Sequence, residues 1–310
     1  MKGRLDLPGN LDDTGANSFV ISGNAVPAPH LDCGLYVVST PIGNLGDISI
    51  RALQTLAAAQ TVACEDKRVS ARLLDRYGIR APRLVAYHEH NAEKAGPDLL
   101  SRVAAGETVA LVSDAGTPLI SDPGQRLVTE ARAKNLPVFA IPGASAPLAA
   151  LAASGMATEE FTFAGFLPNK SGARKATLEG FASHRGTLAF FEGPSRLAAC
   201  LADMAEVLGP NRQAAVCREL TKMHEEVRRA GLEELAQYYA ANPAKGEIVI
   251  LVAPRSEDTA VDADQLLSEL METMPVSRAA GEAAKLTGLP KRDLYNRALQ
   301  LRDTAERDDG

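Results

Sequence analysis

The sequence predicts an α/β protein with a mainly parallel sheet in an N-terminal domain, a mixed sheet in a second domain and a small helical C-terminal segment. Three observations predict it. From Leu35 to about Ala153, short apolar β-branched runs alternate with helix-like segments, the pattern of strands joined by crossover helices. Beyond Phe161 the strand-like runs lie closer together, so antiparallel neighbours are expected. After Pro254 the chain turns polar and acidic (SEDTAVDAD) and then helical, which marks a boundary. The expected divisions are a disordered tail over 1–32, an N-terminal α/β domain over 33–153, a second α/β domain over 154–256 and the helical segment over 257–310.

Each element has its own signal. Residues 1–32 carry Gly, Asn, Asp and Pro without periodicity and read as a mobile tail. Leu35–Thr40 is the first strand, running into PIGNLGD, where Asp47 is expected to cap a helix to about Ala59. Thr61–Cys64 is the second strand and ends in Glu65, Asp66, Lys67 and Arg68. The helix after it stops at Gly78. Leu84–Tyr87 leads into HEHN, His88 to Asn91, and a helix from about Ala92 to Ala104. Val109–Val112 reads as a buried strand. It opens into SDAGTPLISDPG, with Asp122 as cap and Pro123 as first residue of a helix to about Lys134. Pro137–Ile141 precedes PGASA and an Ala- and Leu-rich helix to about Ala153.

Ser154 to Glu160 reads as a linker. Phe161–Phe166 is a strand, followed by a loop with Pro168, Lys170, Arg174 and Lys175. Thr187–Phe191 ends in EGPSR, before a helix from about Ser195 to Leu208. Gln213–Arg218 and Glu225–Ala230 are strands, 232–241 a helix, and Glu247–Val252 an apolar run typical of a central strand. From about 261 to 303 the chain is helical, with a Thr-Gly turn and a last helix starting near Pro290.

Composition narrows the function. The 310 residues carry a formal net charge of −6, which argues against non-specific coating of nucleic acid. The four cysteines form no CxxC pair, so neither a zinc ribbon nor a redox dithiol is suggested. Cys64, Cys200 and Cys217 lie in apolar runs, as buried thiols of a reducing compartment do. No apolar run reaches membrane-spanning length, and no signal peptide pattern opens the chain. A cytoplasmic setting is therefore expected. GxGxxG, GxxxxGK[ST] and GxSxG are all absent, which removes the usual dinucleotide, P-loop and hydrolase readings. His88 and His90 lack a third partner as metal ligands, so no metal is expected. What remains is a set of polar or Gly/Pro loops after strands (TPIGN, EDKR, HEHN, DAGTP, PGASA), the pattern of a ligand cleft at the carboxyl edge of a sheet.

STPIGNLGDIS (39–49), ACEDKRVSARLL (63–74), SDAGTPLISDPG (113–124), IPGASA (141–146) and FFEGPSR (190–196), in this order, resemble the tetrapyrrole-methylase superfamily. More narrowly they are similar to its branch of 2′-O-methyltransferases acting on cytidine-1402 of 16S rRNA. The match runs from about Gly34 to Val252, and the helical tail is similar as well. Lys67 stands where the family commonly has Thr. The resemblance implies a two-domain tetrapyrrole-methylase-like fold, a homodimer, and S-adenosylmethionine folded into a cleft between the domains. By position, Asp114, Ala115, Gly116, Thr117 and Pro118, then Pro142, Gly143, Ala144, Ser145 and Ala146, would form the cofactor loops. Pro41 and Gly43 would line the same cleft, and Glu192, Gly193, Gly246 and Glu247 would close it. The 30S ribosomal subunit or its 16S rRNA would be the partner.

A ribose 2′-hydroxyl must lose its proton during attack, and general bases contribute about 10²–10⁴-fold. Glu65, Asp66, His88 and Glu192 are the candidates, each also readable as a cap or salt bridge. Arg68, Arg196, Arg218 and Lys222 are candidates for RNA phosphates, or else paired surface charges. Arg196, following Gly-Pro-Ser at a helix start, is the best placed. Lys285, Lys291, Arg292 and Arg297 would let the last helices grip rRNA, or those helices are a packing appendage. The competing functions are carbon methylation of a precorrin-type tetrapyrrole and non-catalytic, S-adenosylmethionine-binding association with the ribosome.

Overall fold

The computed structural model describes residues 17–80, 83–255, 263–287 and 291–308. The chain divides into two compact units, Met1–Ala146 and Pro147–Gly310.

The first unit is built on five strands, β3 (Gly34–Val38), β4 (Thr61–Cys64), β5 (Arg83–Ala86), β6 (Thr108–Val112) and β7 (Val138–Ile141). Their order is β5-β4-β6-β3-β7 and every pairing is parallel. Successive residues of β6 serve opposite faces, as the strand period requires. Val109 and Leu111 pack with Leu35, Leu99, Leu100 and Leu127, while Ala110 and Val112 pack with Val38, Leu53, Leu56 and Val62. Burial on both faces is why this strand reads as an unbroken apolar run. The crossover helices are α1 (Ile50–Ala58), α2 (Lys67–Arg76), α3 (Ala92–Ala104) and α4 (Gln125–Ala133). Because all five strands are parallel, all five carboxyl ends emerge at one edge.

Three local expectations are corrected. Part of the supposed tail is a β-hairpin, β1 (Ser18–Ile21) with β2 (Asn24–Pro27). Phe19 is fully buried in the core beside Leu53 and Leu56, and the amide of Val20 donates to the Tyr77 carbonyl at 2.7 Å. Ser22 and Gly23 both have positive φ, 50° and 80°, the conformation a tight hairpin turn demands. Residues 1–16 lie outside the described residues. Ser49, not Asp47, caps α1, accepting the Ala52 amide at 3.1 Å. Asp47 lies instead in a short 3-10 turn, Leu45–Asp47, capped by Asn44. Nor do Asp122 and Pro123 start α4. The chain turns through Leu119 (φ 76°), Ser121 (φ 64°) and Gly124 (φ 137°) before Gln125, and that backbone puts the start two residues later.

In the second unit the order is β11 (Glu226–Gly231), β10 (Gln213–Arg218), β12 (Ile248–Val252), β9 (Thr187–Glu192), β8 (Phe161–Phe166). Only β8 and β9 are parallel, so this sheet is mixed. Helices α6 (Ser171–Glu179), α7 (Leu197–Leu208) and α8 (Leu232–Ala241) supply residues to a core that includes Leu178, Leu188, Phe190, Leu201, Met204, Leu235 and Ile250. The stretch expected to be a loop after β8 contains α6. Its Arg174 is buried against Asp203 of α7 at 2.6 Å, an interaction absent from any local pattern. α5 (Ala146–Ser154) carries the chain from one unit into the other.

At the C-terminus α9 (Ala263–Thr273), α10 (Val276–Thr287) and α11 (Lys291–Asp308) enclose a small core of Leu267, Ala280, Ala283, Leu294 and Ala298. The acidic stretch 256–262, residues 288–290 and the side chain of Lys285 lie outside the described residues. Among the described residues no helix is long and apolar enough to cross a membrane, and no three or more His, Cys, Asp or Glu side chains cluster as metal ligands would.

Candidate active site

Strand order decides which loops meet. With β3 lying between β6 and β7, the loops that follow these three strands are neighbours, and hydrogen bonds lace them together. Thr40 and Gly116 exchange backbone hydrogen bonds at 2.8 and 3.1 Å. The Ser39 and Thr117 hydroxyls are 3.0 Å apart, and Thr117 donates onward to the Ala144 carbonyl at 3.2 Å. Gly143 packs so closely that a Cβ would sit 2.8 Å from that of Ser39. Gly116 has φ +77°, where a side chain is strained. The structure thus gathers Pro41, Gly43, Ala115, Gly116, Thr117, Pro118, Pro142, Gly143, Ala144, Ser145 and Ala146 in adjoining loops of one sheet edge. The amides of Gly143, Ala144 and Ser145 donate no hydrogen bond among the described residues.

β4, on the other side of β6, brings the acidic segment to Asp114, whose Oδ1 accepts the Asp66 amide at 3.0 Å. Asp66 also caps α2, accepting the Arg68 amide at 2.8 Å, and pairs with the Arg68 guanidinium at 2.6 Å. Those bonds from Arg68 hold its carboxyl down at about 2. Glu65 behaves oppositely. Burial, then the negative charges of Asp114 and Asp122, push its carboxyl up, with His88 opposing. Asp122 is also raised, by burial first and then by Asp114, against a hydrogen bond from Ser113. His88 is positioned by Asn91, whose Oδ1 accepts the His88 amide at 2.9 Å while Nδ2 donates to the Ala86 carbonyl at 2.9 Å. Its Nδ1 is buried without a partner.

The second unit assembles its own edge. Glu192 at the end of β9 lies opposite Ile248, Ile248 opposite Arg218, and Arg218 opposite Glu226. Glu192 is 3% exposed. It faces Arg196 at 2.9 Å and accepts the Gly193 amide at 2.7 Å. Arg196 donates further to the Leu167 carbonyl at 2.8 Å. The residue expected to be best placed for phosphate is therefore paired with a buried carboxylate. Arg218 pairs with Glu226 at 2.9 Å. Lys222 pairs with Glu219 at 2.8 Å and Glu247 at 2.9 Å. Arg68 too is paired, but its side chain is 85% exposed.

Two residues escaped sequence reasoning. Asp122 looked like a helix cap, and only its neighbours reveal an acid beside Glu65. Glu219, with φ 51°, accepts the Glu247 amide at 3.0 Å. Its carboxylate fills the space a Cβ on Gly246 (φ +85°) would need. A glycine just before an apolar strand was the available signal.

Among known proteins, the tetrapyrrole (corrin/porphyrin) methylase family model matches residues 34–236. The model described as the RsmI C-terminal HTH domain matches residues 257–302. A ribosomal RNA small subunit methyltransferase I from Mesorhizobium japonicum is 56% identical over 92% of this chain and 98% of that protein. The Pseudomonas aeruginosa protein of that name is 46% identical over 86% and 96%. Among solved structures, a cobalt precorrin-4 methyltransferase superposes with TM-score 0.55 at 18% identity over 71% of this chain and 94% of its own. Uroporphyrin-III C-methyl transferase from Thermus thermophilus, complexed with S-adenyl homocysteine, gives 0.51 at 22% over 71% and 97%, a likeness of fold. With its five loop motifs placed along two sheet edges and its full-length relatives in hand, the chain belongs to the tetrapyrrole methylase family, within the group of ribosomal RNA small subunit methyltransferase I proteins.

Proposed function

We propose that this chain transfers a methyl group from S-adenosylmethionine to the 2′-hydroxyl of cytidine-1402 in 16S rRNA. It does so in the cytoplasm, as a homodimer acting on the 30S subunit. The observation that carries the reading is the near full-length likeness to the rRNA methyltransferase I proteins, at 56% identity. The laced loops support the cofactor. Unpaired amides at Gly143, Ala144 and Ser145 suit a carboxylate. Asp114, exposed and, among the described residues, bonded only through Oδ1, suits a cationic group. When bound, S-adenosylmethionine supplies an electrophilic methyl on a positively charged sulfur.

The chain's own work is then to hold and aim. Pro41, Gly43, Asp114 to Pro118 and Pro142 to Ala146 hold the donor from the first unit. In the second unit the Glu192–Arg196 pair fixes the Gly193 backbone. Aligning nucleophile and methyl supplies up to about 7–11 kcal/mol. Glu65, its carboxyl raised by burial and by neighbouring negative charge, receives the ribose proton, and His88 opposes that raised affinity. A base held nearer the working pH is the more effective one. Arg68, with Lys291 and Arg292 at the start of α11, meets RNA phosphates. Arg218 and Lys222 meet further phosphates while keeping their carboxylate partners.

The test is mass spectrometry of 16S rRNA from 30S subunits that lack the modification, incubated with the purified chain and S-adenosylmethionine. A methyl on the ribose of cytidine-1402 is expected. Cofactor and RNA binding without any methyl transfer, or a methyl on a base, overturns the reading.

A further inference from the structure

At the end of the second unit's sheet opposite Glu192, the guanidinium groups of Arg212 and Arg255 lie near one another, and the backbone carbonyl of His184 meets Arg212. Arg212, just before β10, is 6% exposed. Its Nε donates to the Ala253 carbonyl at 2.9 Å and its Nη2 to the His184 carbonyl at 3.4 Å. Its Nη1 is buried without a partner, as is Nε2 of His184. Arg255, two residues beyond Ala253 and half-buried, donates Nη1 to the Thr287 carbonyl at the end of α10. Among the described residues no carboxylate pairs with either arginine, whereas buried Arg174 in the same unit has Asp203 at 2.6 Å.

A buried guanidinium without a counter-charge is costly, and buried charges are almost always paired. Orphaned buried donors point to an ion or water that completes them. We propose that Arg212, Arg255 and His184 bind an oxyanion of the phosphate class where the helical segment joins the second sheet. Burial and the nearby Arg255 both lower the pKa of Arg212, as expected where negative charge is missing. The half-buried Arg255 is the member through which an ion enters. The bound anion braces α10 against the end of β12, because Arg255 already holds Thr287.

The site is independent of methyl transfer, so its test reads binding. The probe is inorganic phosphate titrated calorimetrically into the full chain in chloride buffer, with selenate for anomalous scattering in crystals. Saturable binding and an anomalous peak within hydrogen-bond distance of Arg212 Nη1 are expected. Arg255→Gln and His184→Gln weaken phosphate by about 10- to 100-fold, the factor a hydrogen bond to a charged group carries, with circular dichroism unchanged. An arm with a 16S rRNA fragment distinguishes the source. If phosphate-loaded protein binds RNA less tightly and Arg255→Gln lowers the salt slope by about 1, the anion is an RNA phosphodiester. If RNA affinity is untouched, it is free phosphate. Non-saturable binding, or water alone on Arg212 Nη1 in the selenate crystal, overturns the proposal.

Discussion

Replacing Arg196 by methionine tests whether the Glu192–Arg196 pair is structural or presented to ligand. The Glu192 side chain is 1% exposed and the Arg196 side chain 28%, with N–O contacts at 2.9 Å. Removing one member of a buried pair costs about 3–5 kcal/mol, because the other charge is left uncompensated. Here the lower end applies. Glu192 keeps the Gly193 amide at 2.7 Å, and Arg196 is close enough to the surface for water to fill part of its place. A loss of about 3 kcal/mol, over a hundredfold in the folding equilibrium, is expected for Arg196→Met. It is read from the urea midpoint of the second unit's transition. The double variant Glu192→Gln/Arg196→Met removes the stranded charge and recovers most of the loss. RNA affinity, measured on the folded fraction, changes little. A single variant within about 1 kcal/mol of the parent, or a double variant no more stable than the single one, refutes the argument. So would a large loss of RNA affinity with stability intact.

The other predictions rest on separate contacts. Gly246→Ala forces a side chain into left-handed backbone against the Glu219 carboxylate. It costs about 2–4 kcal/mol by urea unfolding and is partly rescued by Glu219→Ala; an unchanged midpoint counts against the packing. For Glu65, a base must be ionised, so kcat rises with pH through its raised pKa. Glu65→Gln should abolish that limb and lower kcat about 10²–10⁴-fold at nearly constant KM, and an unaltered pH–rate profile rejects the role. Asp122 binds its proton more tightly folded than unfolded, so its ionisation opposes folding above the ordinary carboxylate range. Asp122→Asn should therefore be more stable than the parent at pH 7, the difference closing as pH falls below that range; parallel stability curves would contradict this.

The sheets were legible wherever a strand is buried on both faces. Thr61–Cys64 and Gln213–Arg218 stand where the apolar runs placed them, since such runs have no alternative to burial. The hairpin at 18–27 was not legible, because four-residue strands give too few alternations to separate them from a tail. α6 was hidden by Pro168, Gly172 and a run of polar residues, and its docking depends on Asp203, far along the chain. At the site, the motifs located the loops because Gly and Pro turns are written locally. Pairing was not legible. EDKR left Asp66 open as a base, a cap or a salt bridge, and EGPSR left Glu192 open in the same way. Each outcome depends on whether a carboxylate meets an amide, a guanidinium or solvent, and strand order settles that.

The hairpin bears on how shortened versions of this protein behave. Phe19 is seated among Leu53, Leu56 and Leu74, so a fragment trimmed to begin at the first sheet strand lacks a plug and not merely a leader. Excising a buried phenylalanine to alanine size costs about 3–5 kcal/mol, and deletion of the whole hairpin also bares the apolar surface beneath it. Such a fragment should aggregate on expression while still containing every loop of the site, and its inactivity would say nothing about chemistry.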